Sequence, residues 1–313
     1  MRKLISPSGA QTIDAGTPTC CIGHRGARAF APENTLPAFR KAAAMGCGMV
    51  ELDVHLSRDG VPVVHHDDRL ARCTDWAEKF PGHGSDFLSD FTLEQLRQLD
   101  AGSWYVKELA LPAAGRQPFL QSLSEPELRQ HVSGAEIEEY SSGHVRIPTL
   151  REALELAYEL DLLVNIEVKT VPRFYPGIAA KVAATVEDLG LRRSVLVSSF
   201  DHRQLLDIRN LLPDLCTGVL TSDRLARPGA YLALMDADAF NPGCYDDFDT
   251  LGFGSVRGEL EPSGLREVRA QGKMTFVWTC NEIRKFKALA AERVTGIITD
   301  YPNRFFATLR EGG

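Results

Sequence analysis

Eight apolar, β-branched runs, with helical spacing in the segments between them, constrain this chain more than any other feature of its sequence. The runs are Cys20 to His24, Met49 to Val54, Leu162 to Val168, Val195 to Phe200, Cys216 to Thr221, Ala237 to Asn241, Met274 to Thr279 and Gly296 to Thr299. Most are continuous rather than alternating, the pattern of strands covered on both faces in a parallel sheet. Helical periodicity fills Asn34 to Met45, Thr149 to Leu160, Pro176 to Leu189, Asp201 to Leu212, Pro228 to Met235, Ser263 to Ala270 and Asn281 to Arg293. Thr149 followed three residues later by Glu152 reads as an N-cap. Strand-helix alternation implies right-handed crossovers, and eight strands in such an order predict an α/β fold of the closed (β/α)8 TIM-barrel class. No Gly-x-Gly-x-x-Gly follows any run, which sets aside an open dinucleotide-binding sheet.

The 313 residues suffice to fill one large barrel, and the expected organisation is a single domain over 1–313. From Thr74 to Ile147 the rhythm breaks, and Val106 to Val145 is rich in Gly, Ser, Pro, Gln and Glu. An insertion at about 106–145 on one rim is predicted, with short helices near Thr92 to Leu99 and Glu125 to His131, acting as a lid or as a tolerated surface excursion. A formal charge of −7 disfavours nucleic acid and anionic membrane surfaces as partners, so an anionic ligand needs a local cationic site. Met1 to Thr19 carries Arg2 and Lys3 but no apolar stretch of signal-peptide length, and no run approaches a membrane span. A cytoplasmic location without stable membrane insertion is expected, with homo-oligomerisation left open. The seven cysteines form an odd set without a Cys-x-x-Cys pair, which reads as reduced, mostly buried thiols.

Barrel enzymes draw their chemistry from the C-terminal ends of strands, and the ends of these runs are polar. The first ends in His24-Arg25-Gly26, the second carries Glu51-Leu52-Asp53, the extended piece Val61 to Val64 leads into His65-His66-Asp67, and the third carries Glu167-Val168-Lys169. Residues two apart on a strand share a face, so Glu51, Asp53 and Glu167 could converge. A divalent cation, Mg²⁺ or Ca²⁺ with Mn²⁺ as a further candidate, would remove the cost of burying them; ion pairing with Arg25 and Lys169 is the alternative. Arg25 and Lys169 could together hold a phosphate. His24 and His66 offer an acid and a base for a reaction at oxygen. His65 must face away from its neighbour, and His55, before the Ser57 to Gly60 turn, is expected past the rim in a structural role.

In this order the motifs resemble the glycerophosphodiester phosphodiesterase family. The matching stretches are Gly23-His24-Arg25-Gly26, Pro32-Glu33-Asn34-Thr35, Glu51-Leu52-Asp53-Val54, Arg58-Asp59-Gly60, Pro62-Val63-Val64 with His66-Asp67, Ile147 to Leu150, Asn165 to Lys169, Ser198 to Asp201, Trp278-Thr279 with Asn281, and Gly296 to Pro302. The resemblance implies a barrel phosphodiesterase with one divalent metal on Glu51, Asp53 and Glu167. It also implies His24 and His66 as acid and base, phosphate on Arg25 and Lys169, and Trp278 lining the glycerol or alcohol pocket, with a core aromatic as the other reading of Trp278. The implied reaction cuts a small-molecule glycerophosphodiester to glycerol 3-phosphate and an alcohol. A lysophospholipase D type activity on larger lipid phosphodiesters, or a retired phosphate-ester binding barrel, are the alternatives. Asp68, Cys73 and Cys280 depart from the family's usual residues, and the segment from Tyr105 to Arg146 exceeds its usual connection.

Overall fold

Each apolar run becomes a short strand buried along its length, and together the strands close on themselves. The computed structural model describes residues 4–5, 12–13, 18–244 and 262–310; Arg2 and Lys3 of the opening stretch lie outside them. The barrel strands are β1 (Cys20–Gly23), β2 (Met49–Leu56), β3 (Leu163–Val168), β4 (Val195–Ser199), β5 (Cys216–Thr221), β6 (Ala239–Pro242), β7 (Met274–Val277) and β8 (Gly296–Thr299). Neighbours pair in parallel in chain order, and β1 pairs with both β2 and β8, which closes an eight-stranded (β/α)8 barrel. Pro62–Val64 adds an antiparallel strand against Val54 to Leu56.

The pleat sorts each strand into two faces. In β2, Val50, Leu52 and Val54 face the helical layer, where they pack with residues such as Ala153, Leu154, Val182 and Val186. Met49 faces inward with Ile22, Leu163, Leu196, Cys216, Met274, Phe276 and Ile298, which fill the lower barrel. Continuing the inward parity upward gives Glu51, Asp53 and His55. The barrel is therefore apolar below and acidic above, and one strand supplies both layers.

A two-stranded antiparallel sheet, Leu4–Ile5 with Thr12–Ile13, was not expected from the sequence. Its Leu4 and Ile13 join the lower inward cluster and close it from beneath. These strands are two residues each, too short for periodicity to register. The helix Pro302–Arg310 also went unpredicted, following directly on the last strand. Thr149 caps the helix Leu150–Glu159 as expected, its hydroxyl accepting from Glu152 N–H at 3.2 Å while Glu152 reaches back at 2.8 Å.

Between Pro62–Val64 and that helix the chain runs over the C-terminal face of the barrel. It forms Trp76–Lys79, Leu93–Leu96, Ser103–Leu109, Pro118–Gln121, Glu125–His131 and Gly134–Ser141. The helix over Glu125 to His131 matches expectation, whereas Thr92 to Leu99 shortens to one turn opened by a Thr92/Gln95 capping box. Trp104, Tyr105, Phe119, Leu120, Leu123, Val132 and Tyr140 share one apolar cluster with Ala29, Phe30 and Ala31 of the loop after β1 and with Tyr301. This segment is thus packed onto the loop that carries the first histidine. All seven cysteines are free, six of them buried.

The lower plug yields a stability prediction. Leu4→Ala removes a fully buried side chain that caps the inward cluster, so it is expected to cost about 2–5 kcal/mol. Urea unfolding would show this as a lower midpoint at unchanged slope.

Candidate active site

The turn after β1 is built to aim backbone and side chain at the same place. Arg25 has φ +53° and Gly26 φ +84°, left-handed values that cost an ordinary side chain on the order of 1 kcal/mol. A Cβ on Gly26 would lie 2.6 Å from the backbone of Ala38, so glycine is required there. The reversal points the Arg25 N–H at Glu51 Oε2, 3.0 Å away, and its guanidinium at Glu33 Oε1, 3.0 Å away, with Nε 3.4 Å from Asp53 Oδ2. Asn34, also left-handed at φ +56°, donates its backbone N–H to Arg25 O at 3.0 Å and its side-chain amide to Asp53 Oδ2 at 2.8 Å.

Glu51, Asp53 and Glu167 each offer an oxygen within 4.8 Å of the others, and all three are buried. They converge because Asp53 and Glu167 are register partners on adjacent strands. Lys169 Nζ donates to Glu167 Oε1 at 2.7 Å and lies 3.2 Å from Asp53 Oδ1. Burial opposes ionisation of Asp53, but Lys169, His66 and Arg25 outweigh it and hold the carboxyl well below the usual range. Glu51 moves the other way: burial, then the charges of Asp53 and Glu167, push it well above the usual range. Burial also raises Glu167, against the pull of Lys169. Ion pairing with Arg25 and Lys169 is therefore present, yet it leaves one acid unsatisfied. Glu51 Oε1 is buried without a hydrogen-bond partner. An all-oxygen set with one orphaned oxygen and a carboxyl whose ionised form is disfavoured fits a hard divalent cation.

Both candidate imidazoles are oriented by a carboxylate on Nδ1. His24 Nδ1 bonds Asp300 Oδ1 at 2.7 Å and its Nε2 lies 3.9 Å from Glu51 Oε2. His66 Nδ1 bonds Asp67 Oδ1 at 2.6 Å. An acceptor on Nδ1 selects the tautomer with a free Nε2 lone pair. Burial, then Arg28 and Arg25, pull His24 down to about 4, and burial, then Arg25 and Lys169, pull His66 down to about 3. At neutral pH both rings are uncharged.

His65 turns away as expected, its Nε2 meeting Arg69 O at 3.2 Å. The expectation for His55 needs correction: it does not lie past the rim but is buried at the top of β2. Its Nε2 meets His66 O at 3.0 Å and its Nδ1 meets the Tyr175 hydroxyl at 2.9 Å, so it supports the His66 backbone. Trp278 follows β7, half-buried, with its ring edge-on to Phe200 at 5.4 Å and its Nε1 donating to Asn241 O at 2.9 Å.

Several residues of the site were quoted in motifs without a role. Asp300 ends the last apolar run and binds His24, Arg28 and, at 2.8 Å, Asn281 Nδ2; inspecting the terminus of that run, as was done for the first three, identifies it. Glu33 and Asn34 lie in the Pro-Glu-Asn-Thr stretch. Arg28 and Arg72 sit in loops without periodicity, and only their contacts reveal them.

The profile of the glycerophosphoryl diester phosphodiesterase family matches residues 24–304. A glycerophosphodiester phosphodiesterase of Caldanaerobacter subterraneus subsp. tengcongensis is 30% identical over 295 residues, covering 94% of this chain and 99% of its own. The backbone is similar to a solved Silicibacter pomeroyi structure at TM-score 0.75 and 25% identity, over 96% of this chain and 95% of that one. An Oleispira antarctica phosphodiesterase solved with the product sn-glycerol-3-phosphate gives TM-score 0.68 at 25% identity, over 94% and 97% of the two chains. Among the described residues, no helix is long and apolar enough to cross a membrane.

The raised Glu51 carboxyl predicts coupled binding. A divalent ion must displace its proton, so calorimetry in buffers of different ionisation enthalpy should show release of about one proton, with affinity rising as pH rises. Glu51→Gln should weaken binding and remove the pH dependence. Proton-independent binding in the wild type would contradict the assignment.

Proposed function

This chain belongs to the glycerophosphoryl diester phosphodiesterase family, and we propose that it hydrolyses glycerophosphodiesters to glycerol 3-phosphate and an alcohol in a metal-dependent reaction. It is an enzyme, a phosphoric diester hydrolase of that family. The observation that carries the reading is the acidic cluster at the barrel mouth flanked by two histidines, each tied to its own aspartate.

In this reading Glu51, Asp53 and Glu167 hold one divalent cation, Mg²⁺, Ca²⁺ or Mn²⁺. When bound, the ion supplies Lewis-acid stabilisation of charge on a phosphoryl oxygen. Arg25 and Lys169 bind the phosphate, Arg25 through its fork and Lys169 as a point charge. His24 and His66 move protons. One imidazole takes the proton from the attacking oxygen as its bond to phosphorus forms, and the other gives a proton to the alkoxide as the second ester bond breaks. The neutral state of both rings suits the first of these tasks. An anionic phosphodiester beside a ring opposes the effect of the arginines and favours protonation, which suits the second. The attacking oxygen is the neighbouring glycerol hydroxyl, giving a cyclic phosphate that water opens. Trp278 and Phe200 line the side where the alcohol leaves.

Val171 and Phe174, both exposed in the chain after β3, add apolar surface beyond the strand ends, as does the exposed Phe200 after β4. This supports a second reading in which the alcohol is a lysolipid. The intact acids and histidines speak against a retired binding barrel. The chain reads as one barrel domain with a rim insertion, and its free thiols suit a reducing, cytoplasmic setting.

With a divalent ion, the protein is expected to release glycerol 3-phosphate from glycerophosphocholine and to lose this activity in chelator. His24→Ala and His66→Ala should each lower kcat by about 10²–10⁴. Folded variants with full turnover in chelator would refute the mechanism. Comparing glycerophosphocholine with lysophosphatidylcholine decides between the two readings: faster cleavage of the acylated ester favours the second.

A further inference from the structure

The insertion reaches both histidines through two chains of the same construction. On one side, Arg28 forks onto Asp300, its Nε to Oδ1 and its Nη2 to Oδ2 at 2.9 Å, and Asp300 Oδ1 holds His24. On the other, Arg72 forks onto Asp67 with the same edge, Nε to Oδ2 at 2.6 Å and Nη2 to Oδ1 at 2.9 Å, and Asp67 Oδ1 holds His66. Both arginines also face the buried Glu33 carboxylate, Arg72 donating to it and Arg28 lying 3.8 Å away, and each then reaches the insertion. The flat face of Arg28 lies on the Phe119 ring, 4.1 Å from its centroid, and Arg72 Nη1 donates to Gln117 Oε1 at 3.0 Å.

Gln117 and Phe119 are two residues apart on one short stretch that is itself tied down. The Gln117 N–H donates to Glu108 Oε2 at 2.7 Å, and the Phe119 carbonyl accepts from the hydroxyl of Tyr301, the residue after Asp300. An arginine side chain loses much rotamer freedom when it is fixed. Its fork sets an aspartate only when its remaining face and nitrogens are also held. For Arg28, buried and largely desolvated, an aromatic face is among the stronger holds available.

Taking His24 and His66 as the acid and base of the proposed reaction, we infer that Gln117 and Phe119 are positioning residues that set the two imidazoles against each other through Arg72 and Arg28. The insertion is then a fixed jig for the proton-transfer pair. Its two holds act in parallel, one on each ring.

The test uses the full chain loaded with metal. Gln117→Leu and Phe119→Leu remove the acceptor and the ring face while keeping bulk; Gln117→Glu and Phe119→Tyr keep them. Each Leu variant should lower kcat about tenfold and the double variant about 100-fold. KM should stay within about twofold and metal affinity should be unchanged, since substrate and metal are held by other residues; the Glu and Tyr variants should recover most of the loss. Histidine-labelled NMR should show the two Nδ1–H signals moving in the Leu variants, His66 with Gln117→Leu and His24 with Phe119→Leu. Gln117 is only half-buried, so its variant remains informative if Phe119→Leu fails to fold. Wild-type kcat in a folded Gln117→Leu protein, a loss confined to KM, or no recovery by the conservative variants would overturn the inference. A wild type that cleaves no glycerophosphodiester would instead overturn the functional reading beneath it.

Discussion

Three carboxylates buried within 4.8 Å of one another are the constraint around which this barrel mouth is organised. At an effective dielectric near 20, each like-charged pair at that separation costs about 3–4 kcal/mol. Three such pairs approach the whole stability of an ordinary domain, about 5–15 kcal/mol. The chain meets this with Lys169 between Asp53 and Glu167, Arg25 beside Asp53 and Glu51, and a Glu51 carboxyl whose ionisation burial and its acidic neighbours oppose. The last of these is the strain that the proposed cation would relieve.

The cations that relieve the cluster need fixing in turn, and the fixing explains the strained turn at its edge. Arg25 adopts a left-handed backbone because only then do its N–H and its guanidinium both reach acids of the cluster. Glu33 accepts from Arg25 and Arg72 and lies 3.8 Å from Arg28, so one buried carboxylate ties together the arginines behind both histidines. Those arginines also contact Phe119 and Gln117. The segment from Ser103 to Ser141 is therefore continuous, through Phe30, Tyr105 and Tyr301, with the loop bearing His24.

Much of this was legible because strands carry their chemistry at fixed parity. Glu51 and Asp53, and Glu167 and Lys169, announce a shared face through their spacing of two, and the barrel register then brings Asp53 opposite Glu167. His66 was separable from His65 by the same alternation. What resisted reading lacks a period. Arg28, Arg72, Gln117 and Phe119 lie in loops or single-turn helices, and their meaning rests on contacts between residues far apart in sequence. His55 shows the limit of parity alone: it shares the inward face, but its height follows from β2 extending to Leu56 before the turn.

The most direct test is a crystal structure of the protein soaked with Mn²⁺, using the anomalous signal to locate the ion. The account predicts one strong peak bonded to oxygens of Glu51, Asp53 and Glu167, with the Glu51 Oε1 atom among its ligands. A structure in which those acids remain joined only to Lys169 and Arg25, with manganese absent or bound elsewhere, would contradict it.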